Sequence, residues 1–303
     1  MKRIRSHLRG FTLLELLLAL AGSAALVVLL LVVARNALDL WATSSRNLRQ
    51  SVQADAILDR VQADLETALF RRDDAVWLAA TVLTDGSLSG WWSAAPGGKP
   101  VGASLDLAPV DITQCRFGIG GVWLRCFIPS RQDGSTGVRA VGYQLVRREA
   151  FVGSGETAYL LHRAEVSASN TFSAGYNLDP VSGGYRQRNA TPGHPGNLIR
   201  PPLSSVIGDH VVDFGLRLYR QEHDRLERVF PVDGGPEYLA TSAGERWPRI
   251  AEIMIRLLDD TGVRRLAAIE SGADPAAAEV SWWDVVERHS RVYVRRVVLP
   301  EGE

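Results

Sequence analysis

Few residues in this chain are spaced for catalysis. The six histidines are scattered, and no two of them show the i, i+4 spacing around a glutamate that zinc hydrolases use. The segment 153–155 (GSG) lacks the G-x-S-x-G spacing of a hydrolase nucleophile, and the acidic pairs at 73–74 and 259–260 lack the alternating ligands of a calcium loop. The segment 259–262 (DDTG) has the composition of a turn between strands. The sequence therefore predicts no enzyme activity, no bound metal and no cofactor.

The two cysteines, Cys115 and Cys126, are the next candidates for chemistry. They end the segment CRFGIGGVWLRC, in which strand-forming residues lie on both sides of a turn centred on Gly120 and Gly121. Such a hairpin places the cysteines opposite each other, where the Cα atoms of a non-hydrogen-bonded pair lie about 4.5 Å apart, within reach of a disulfide. An oxidising compartment favours the bridge, and two small buried thiols are the alternative. Two cysteines alone are too few for a closed zinc site.

The N-terminus combines a basic leader with an apolar helix. Segment 1–10, MKRIRSHLRG, is basic, and the 24 residues of segment 11–34 are almost wholly apolar. A helix of that length crosses a hydrocarbon layer of about 30 Å. By the positive-inside rule the leader stays in the cytoplasm, so the residues after Arg35 lie in the periplasm or outside the cell. Apolar residues continue at helical spacing beyond the apolar segment, which predicts an amphipathic continuation of the same helix over 35–72.

One acidic residue, Glu15, lies inside the apolar segment. A charged side chain at the centre of a membrane helix costs about 2.5 to 3.5 kcal/mol on insertion scales. Glu15 therefore needs either a partner of opposite charge or a position near the interface, from which its side chain reaches water.

The residues around Glu15 match a known signal. The stretch RGFTLLELLLALA resembles the class III signal of type IV prepilins and type II secretion pseudopilins, in which a glycine precedes the cleavage site, a phenylalanine follows it and a glutamate is the fifth mature residue. The matching residues are Gly10, Phe11 and Glu15. The resemblance implies that a membrane-embedded prepilin peptidase cuts between Gly10 and Phe11 and methylates the new amine. It also implies that Glu15 pairs with the Phe11 ammonium of a neighbouring subunit, which joins two otherwise unpaired charges.

The remainder, 73–303, is predicted to be a β-rich globular domain with antiparallel sheets, because apolar and polar residues alternate in short segments separated by Gly and Pro. The predicted strands are 76–83, 112–118, 122–128, 138–147, 157–166, 211–219, 250–258 and 292–299. With the N-terminal helix, the fold class is α+β, and the resemblance implies a pilin fold: a long N-terminal helix packed on antiparallel sheets.

Two segments interrupt the predicted strands. Segment 167–202 is long and rich in Gly, Asn, Ser and Pro, which is typical of either a solvated insertion or a contact surface for another protein. The other segment has Asp274 as a candidate N-cap and is predicted to form a short helix that ends near His289. Its apolar residues, Trp282, Trp283, Val285 and Val286, are expected to cover a sheet rather than form an exposed docking patch.

Charge argues against nucleic acid as a partner. Without the leader the chain has 30 basic and 34 acidic residues, a net charge of −4, so no basic surplus remains to bind phosphates. A DNA-capturing pilin is therefore disfavoured, whereas an adhesin would need an exposed aromatic or basic patch.

The family resemblance also implies a subtype, a location and partners. The chain is longer than a major pilin, and Glu15 argues against the K-type tip pseudopilin, which lacks the fifth-position glutamate. The segments ILDRVQADLETALFRR, YLLHRAEV and VYVRRVVLP resemble those of a J-type minor pseudopilin of type II secretion, although the chain is longer, chiefly through 167–202. A W-like minor type IV pilin, which primes pilus assembly or acts in adhesion, is the alternative.

A J-type minor pseudopilin takes part in protein export as part of the tip or initiation complex. The implied location is the bacterial inner membrane, crossed once, with the N-terminus in the cytoplasm and the globular domain in the periplasm. The implied partners are other minor and major pseudopilins, the prepilin peptidase and the inner-membrane assembly platform.

Overall fold

The computed structural model describes residues 12–71, 73–84, 111–130, 137–151, 153, 155–180, 184–185, 191, 193–232, 235–240, 247–273 and 280–301. The protein is a mixed α+β chain in which a long N-terminal helix precedes antiparallel sheets. It divides into two compact units, residues 1–51 and residues 52–303.

The helices are α1 Leu13–Glu66, α2 Ala168–Ala174, α3 Asp260–Ser271 and α4 Trp282–His289. The strands are β1 Leu78–Val82, β2 Val122–Ser130, β3 Gly137–Glu149, β4 Thr157–Glu165, β5 Val206–Asp209, β6 Val211–Glu222, β7 Arg225–Phe230, β8 Glu237–Ala240, β9 Ile250–Leu258 and β10 Ser290–Val298. Short 3₁₀ turns lie at Ile112–Gln114, Pro195–Leu198 and Leu203–Ser205.

The strands form two sheets. The larger sheet has the order β5-β4-β3-β2-β1-β8 and the smaller has the order β10-β9-β6-β7. All the pairings in both sheets are antiparallel. The predicted α+β class, with a long N-terminal helix followed by antiparallel sheets, is confirmed.

The main hydrophobic core joins both sheets to the second part of α1. Along this helix the buried residues recur at three- and four-residue intervals, which places them on one face. They are Ala54, Ile57, Leu58, Val61 and Leu65. The sheets meet across the same core, where the rings of Tyr143 on β3 and Phe214 on β6 have centroids 6.4 Å apart.

Segment 167–202 covers the outer face of the larger sheet. Leu178, Tyr185 and Leu198 are buried there with Phe127 of β2 in a second hydrophobic cluster. The backbone N–H of Leu178 also donates to the carbonyl of Val76, at 2.9 Å. Part of this segment therefore packs on the sheet, whereas Phe172 is 74% exposed, so the described residues are neither wholly solvated nor wholly buried. A contact surface for another protein stays a prediction.

Most predicted strands are confirmed within two or three residues at their ends, and three local predictions are wrong. The DDTG segment begins a helix instead of a turn: Asp259 is the N-cap of α3, and its Oδ1 accepts from the backbone N–H of Gly262 at 2.6 Å. The predicted strand 112–118 is a 3₁₀ turn followed by irregular chain. The long helix α1 ends at Glu66, short of the predicted end at 72.

Helix α4 confirms the predicted helix near His289, with a later start. Its N-cap is Ser281, which forms a capping box with Asp284. The proposed N-cap Asp274 lies outside the described residues. The four apolar residues of this helix are all buried, so the core role predicted for them is confirmed: Trp282, Trp283, Val285 and Val286.

Candidate functional site

The exposed N-terminal part of α1 is the first candidate site. Leu13–Leu38 is a helical stretch of 26 residues, long and apolar enough to cross a membrane. All of its side chains are exposed. A helix that is apolar on every side is stable only when lipid or other protein surrounds it. Glu15 lies near the beginning of this stretch and Arg35 near its end, so the charged residues are at its two ends.

Glu15 caps the helix that carries it. The backbone N–H of Thr12 donates to Glu15 Oε2 at 3.0 Å, and the backbone N–H of Glu15 lies 3.3 Å from Thr12 Oγ1. The Thr12 hydroxyl donates to the same Oε2 at 3.1 Å. This is a capping box, which satisfies two of the backbone donors that a helix N-terminus leaves unpaired. Thr12 was not a predicted site residue, although the T-x-x-E spacing before an apolar run is the sequence signal of this box.

The other two processing residues, Gly10 and Phe11, lie outside the described residues. The Gly10–Phe11 cleavage site therefore stays a prediction. Glu15 lies four residues after Phe11 in the sequence, at the exposed start of α1. It is the third residue of this helix, and its carboxylate lies beside Thr12.

Within the second unit, a buried ion pair fastens α1 to the larger sheet. Arg163 on β4 donates from Nε to Asp64 Oδ2 at 2.6 Å and from Nη2 to Oδ1 at 3.1 Å. The Tyr143 hydroxyl donates to the same carboxylate at 2.5 Å. Arg163 also donates to Glu165 at 2.7 Å, and Glu165 accepts from Arg139. Both side chains of the central pair are 7% exposed, so their charges are compensated by one another rather than by water.

The ionisation of this network follows from its geometry. Burial disfavours the charged form of Arg163, but the hydrogen bonds and the charge of Asp64 outweigh that effect and raise the pKa of the guanidinium above its ordinary value. Burial and the neighbouring Asp64 charge raise the pKa of Tyr143 well above its ordinary value, so the phenol stays protonated and donates. Arg163 and Tyr143 therefore both keep their protons and donate to Asp64.

A second buried carboxylate, Glu270, fastens α3 and α4 to the larger sheet. It accepts from Arg147 Nε at 2.9 Å and from Trp282 Nε1 at 3.1 Å, and the Tyr159 hydroxyl donates to it as well. Burial, followed by the charge of Glu270, raises the pKa of Tyr159 well above its ordinary value. Three side chains, from β3, β4 and α4, therefore donate to this one carboxylate of α3.

The outer face of the larger sheet carries buried polar residues under segment 167–202. The guanidinium of Arg125 lies 3.8 Å from the ring centroid of Trp123, and its Nη2 donates to Thr81 Oγ1 at 2.6 Å. Burial lowers the pKa of Arg125 to about 10, which leaves it charged at neutral pH. His162 Nδ1 lies 3.1 Å from Ser205 Oγ, and burial, aided by the charge of the nearby Arg148, lowers its pKa to about 3. His162 is therefore neutral at physiological pH.

Two cavities beside these buried groups are small. One of about 40 Å³ lies next to Glu270 and another of about 10 Å³ lies next to Arg125. A water molecule needs at least about 10 to 15 Å³, so the first cavity has room for no more than a few waters and the second for one at most. Among the described residues, no group of three or more His, Cys, Asp or Glu side chains could hold a metal ion. The absence of an enzyme role stays a prediction.

The two cysteines are buried free thiols, and the structure does not place them as a hairpin pair. Cys126 on β2 lies opposite Leu78 of β1 and Val141 of β3. Cys115 follows a 3₁₀ turn, where its sulfur accepts from Arg217 Nη2 at 2.9 Å. The predicted hairpin is therefore wrong, because β1 takes the place beside β2 that it required. Of the two alternatives for the cysteines, the structure has the two buried thiols, and the disulfide stays a prediction.

The segment that carries Cys115 instead covers the smaller sheet. The backbone N–H of Phe117 donates to Asp213 Oδ2 at 3.1 Å, which removes it from any strand ladder. The Phe117 ring lies over Gly215 of β6, where a Cβ atom would be only 2.1 Å from the ring carbon Cε2. Gly215 therefore makes room for this cover.

No protein-family model matches the chain, and neither does any curated protein or solved structure.

Proposed function

We propose that this protein is a membrane-anchored subunit of a type IV pilin-like filament, and that its role is that of a J-type minor pseudopilin in type II protein secretion. One observation carries the proposal: Glu15 is the fifth residue after the Gly10–Phe11 junction and lies at the start of an exposed apolar helix. The prepilin peptidase cuts this junction and methylates the amine of Phe11.

The geometry of Glu15 supports a role in joining subunits. Its Oε2 atom accepts both hydrogen bonds from Thr12, whereas its Oε1 atom has no hydrogen-bond partner among the residues that the structure describes. A carboxylate has acceptor sites on both oxygens. One oxygen can therefore cap its own helix while the other accepts from the Phe11 ammonium of the neighbouring subunit. That pairing gives a buried charge a partner and sets the register between the two subunits.

The architecture of the second unit supports the pilin fold. The long helix has a second part whose apolar face joins the core of antiparallel sheets. The buried Asp64–Arg163 pair fixes this part of the helix to β4. A subunit that is pushed or pulled through its N-terminal helix needs such a fastening, because the load passes from the helix to the globular domain.

Within the family, the J-type assignment rests on the segments that contain these contacts. Asp64 lies in ILDRVQADLETALFRR, and Arg163 lies in YLLHRAEV. A W-like minor type IV pilin is the second candidate, and it is favoured by the length of the chain. Deletion of the gene separates the two: a secretion subunit is needed for protein export, and a pilus subunit is needed for surface pili.

Filament incorporation of Glu15 variants tests the proposed mechanism. Glu15→Gln keeps an acceptor for the Thr12 N–H but removes the charge, whereas Glu15→Ala removes both. We expect both variants to be cleaved and to be lost from cross-linked assemblies with the partner subunits. Glu66→Gln, the same substitution at an exposed position of the same helix, is the matched control and should be incorporated normally. Normal incorporation of Glu15→Gln would reduce Glu15 to a helix cap and remove the pairing mechanism.

A further inference from the structure

A cluster of exposed apolar residues follows the charged end of the membrane helix. Beyond Arg35, the side chains of Leu38, Leu40 and Trp41 are 65%, 72% and 73% exposed. Among the described residues, nothing in the first unit covers them. Tryptophan is enriched at membrane–water interfaces, where its ring contacts apolar chains and its N–H reaches polar headgroups.

We propose that Arg35 and Trp41 fix the depth of α1 in the bilayer, with Trp41 in the headgroup layer on the periplasmic side. The partner of this surface is therefore lipid. The inference rests on the membrane insertion that is part of the proposed function. It goes further in assigning a bilayer register to the helix and a role to Trp41.

The register follows from helix geometry. A hydrocarbon layer of about 30 Å spans about 20 helical residues, so a layer whose periplasmic boundary lies at Leu38 has its cytoplasmic boundary near Ala19. Trp41 then lies about 4.5 Å outside the hydrocarbon, within a headgroup layer roughly 5 to 7 Å thick. Arg35 lies about 4.5 Å inside, from where its long side chain extends to the headgroups.

A shallower register fits Leu40 and Trp41 less well. If the hydrocarbon ended at Ala34, the last residue before the charge of Arg35, Trp41 would lie about 10 Å outside it, beyond the headgroup layer. The exposed side chains of Leu40 and Trp41 would then be in water, with no apolar contact to stabilise them. The deeper register places these side chains in the interface. Its costs are that Arg35 must extend to the headgroups and that the exposed leucines before Ala19 lie on the cytoplasmic side of the hydrocarbon, with Leu16, Leu17 and Leu18 in the headgroup layer.

This register has a consequence for Glu15. With the cytoplasmic boundary near Ala19, Glu15 lies about 6 Å outside the hydrocarbon and within the headgroup layer. The carboxylate of a single, unassembled subunit is therefore hydrated and still caps the helix through Thr12. Its transfer into an apolar environment occurs only when a neighbouring subunit provides a positive charge, so the cost of burying an unpaired carboxylate does not arise.

Tryptophan quenching in liposomes tests the depth. The full-length protein is reconstituted in liposomes whose lipids carry bromine either near the headgroup or near the end of the acyl chain. We expect the headgroup-proximal bromine to quench more strongly, and Trp41→Phe to remove most of that quenching. Trp247→Phe is the matched control and should leave the quenching unchanged, since Trp247 lies in the second unit and is partly buried.

Flotation of the same liposomes separates the possible failures. A protein that floats with the liposomes but keeps its quenching in the Trp41→Phe variant would overturn the assigned role of Trp41 and leave the membrane anchor intact. Stronger quenching of Trp41 by the deep bromine would overturn the register. A protein that does not float would contradict the membrane insertion on which the proposed function itself depends.

Discussion

Replacing Asp64 by alanine should destabilise the second unit far more than the same change at an exposed ion pair of the same helix. Asp64→Ala leaves the buried Arg163 without two hydrogen bonds and leaves the Tyr143 hydroxyl with only the longer bond, at 3.2 Å, to the backbone carbonyl of Arg60. Removal of one partner of a buried pair costs about 3 to 5 kcal/mol, and Glu165 still compensates part of the Arg163 charge, so we expect a loss of about 3 kcal/mol.

Asp59→Ala is the matched control. Asp59 is exposed and pairs with Arg295, which keeps Asp55 as a second partner at 3.2 Å. Exposed pairs contribute about 0 to 1 kcal/mol, so this variant should unfold close to wild type. Urea unfolding of the full-length protein in detergent, followed by near-ultraviolet circular dichroism, gives both free energies of unfolding.

A double variant separates lost contacts from an uncompensated charge. Because most of the cost of Asp64→Ala comes from the buried charge left behind, Asp64→Ala combined with Arg163→Met should be more stable than Asp64→Ala alone. Equal losses for Asp64→Ala and Asp59→Ala would refute the role of the buried pair. A double variant no more stable than Asp64→Ala would refute the argument from the uncompensated charge.

Three further predictions concern other buried groups. Burial lowers the pKa of His162 to about 3 in the folded protein, so the stability that this residue contributes is full above pH 6.5 and falls as the pH drops from 6.5 towards 3. At pH 5 the loss is about 2 kcal/mol. Urea unfolding of His162→Asn should therefore show a weaker dependence on pH than that of the wild type. Gly215→Ala forces a methyl group against Phe117 and should cost about 2 kcal/mol in thermal or urea unfolding; failure of Phe117→Leu to restore part of that loss would contradict the assigned clash. Both cysteines are buried, and burial raises the pKa of the Cys126 thiol, so a thiol reagent should leave both unmodified in the native protein. In denaturant without a reductant the same reagent should modify both. No labelling in denaturant would instead indicate the Cys115–Cys126 disulfide.

The parts of the fold that follow local rules could be predicted from sequence. Strand β9 has the predicted bounds Ile250–Leu258, since its alternation and its flanking residues are both local signals. Helix α1 could also be predicted, from its unbroken apolar segment and from the helical spacing of the apolar residues that follow. In contrast, Asp259 was expected to begin a turn, because Asp, Thr and Gly are as common in turns as at the first turn of a helix.

The features that depend on distant residues could not be predicted. Cys115 and Cys126 lie at hairpin spacing, but β1 pairs with β2 and leaves no place for that hairpin. The cover formed by segment 167–202 depends on a few apolar residues, such as Leu178, within a polar composition. The pairing of Asp64 with Arg163 joins residues far apart in the chain, and nothing in either local segment selects the partner.

For the candidate site, the sequence supplied nearly all of the information. Glu15 was singled out because an acid inside an apolar segment needs an explanation. The structure adds its capping box with Thr12 and the exposure of the whole apolar stretch. The Gly10–Phe11 junction depends on sequence alone.

The intact mass of the protein after co-expression with its prepilin peptidase tests the central claim most directly. We predict a mass that corresponds to residues 11–303 plus one methyl group. Gly10→Leu should remain uncut under the same conditions, because a large side chain at this position cannot enter a tight protease site. A wild-type chain that keeps its first ten residues beside an active peptidase would contradict the account, since the N-terminus would then be a simple membrane anchor.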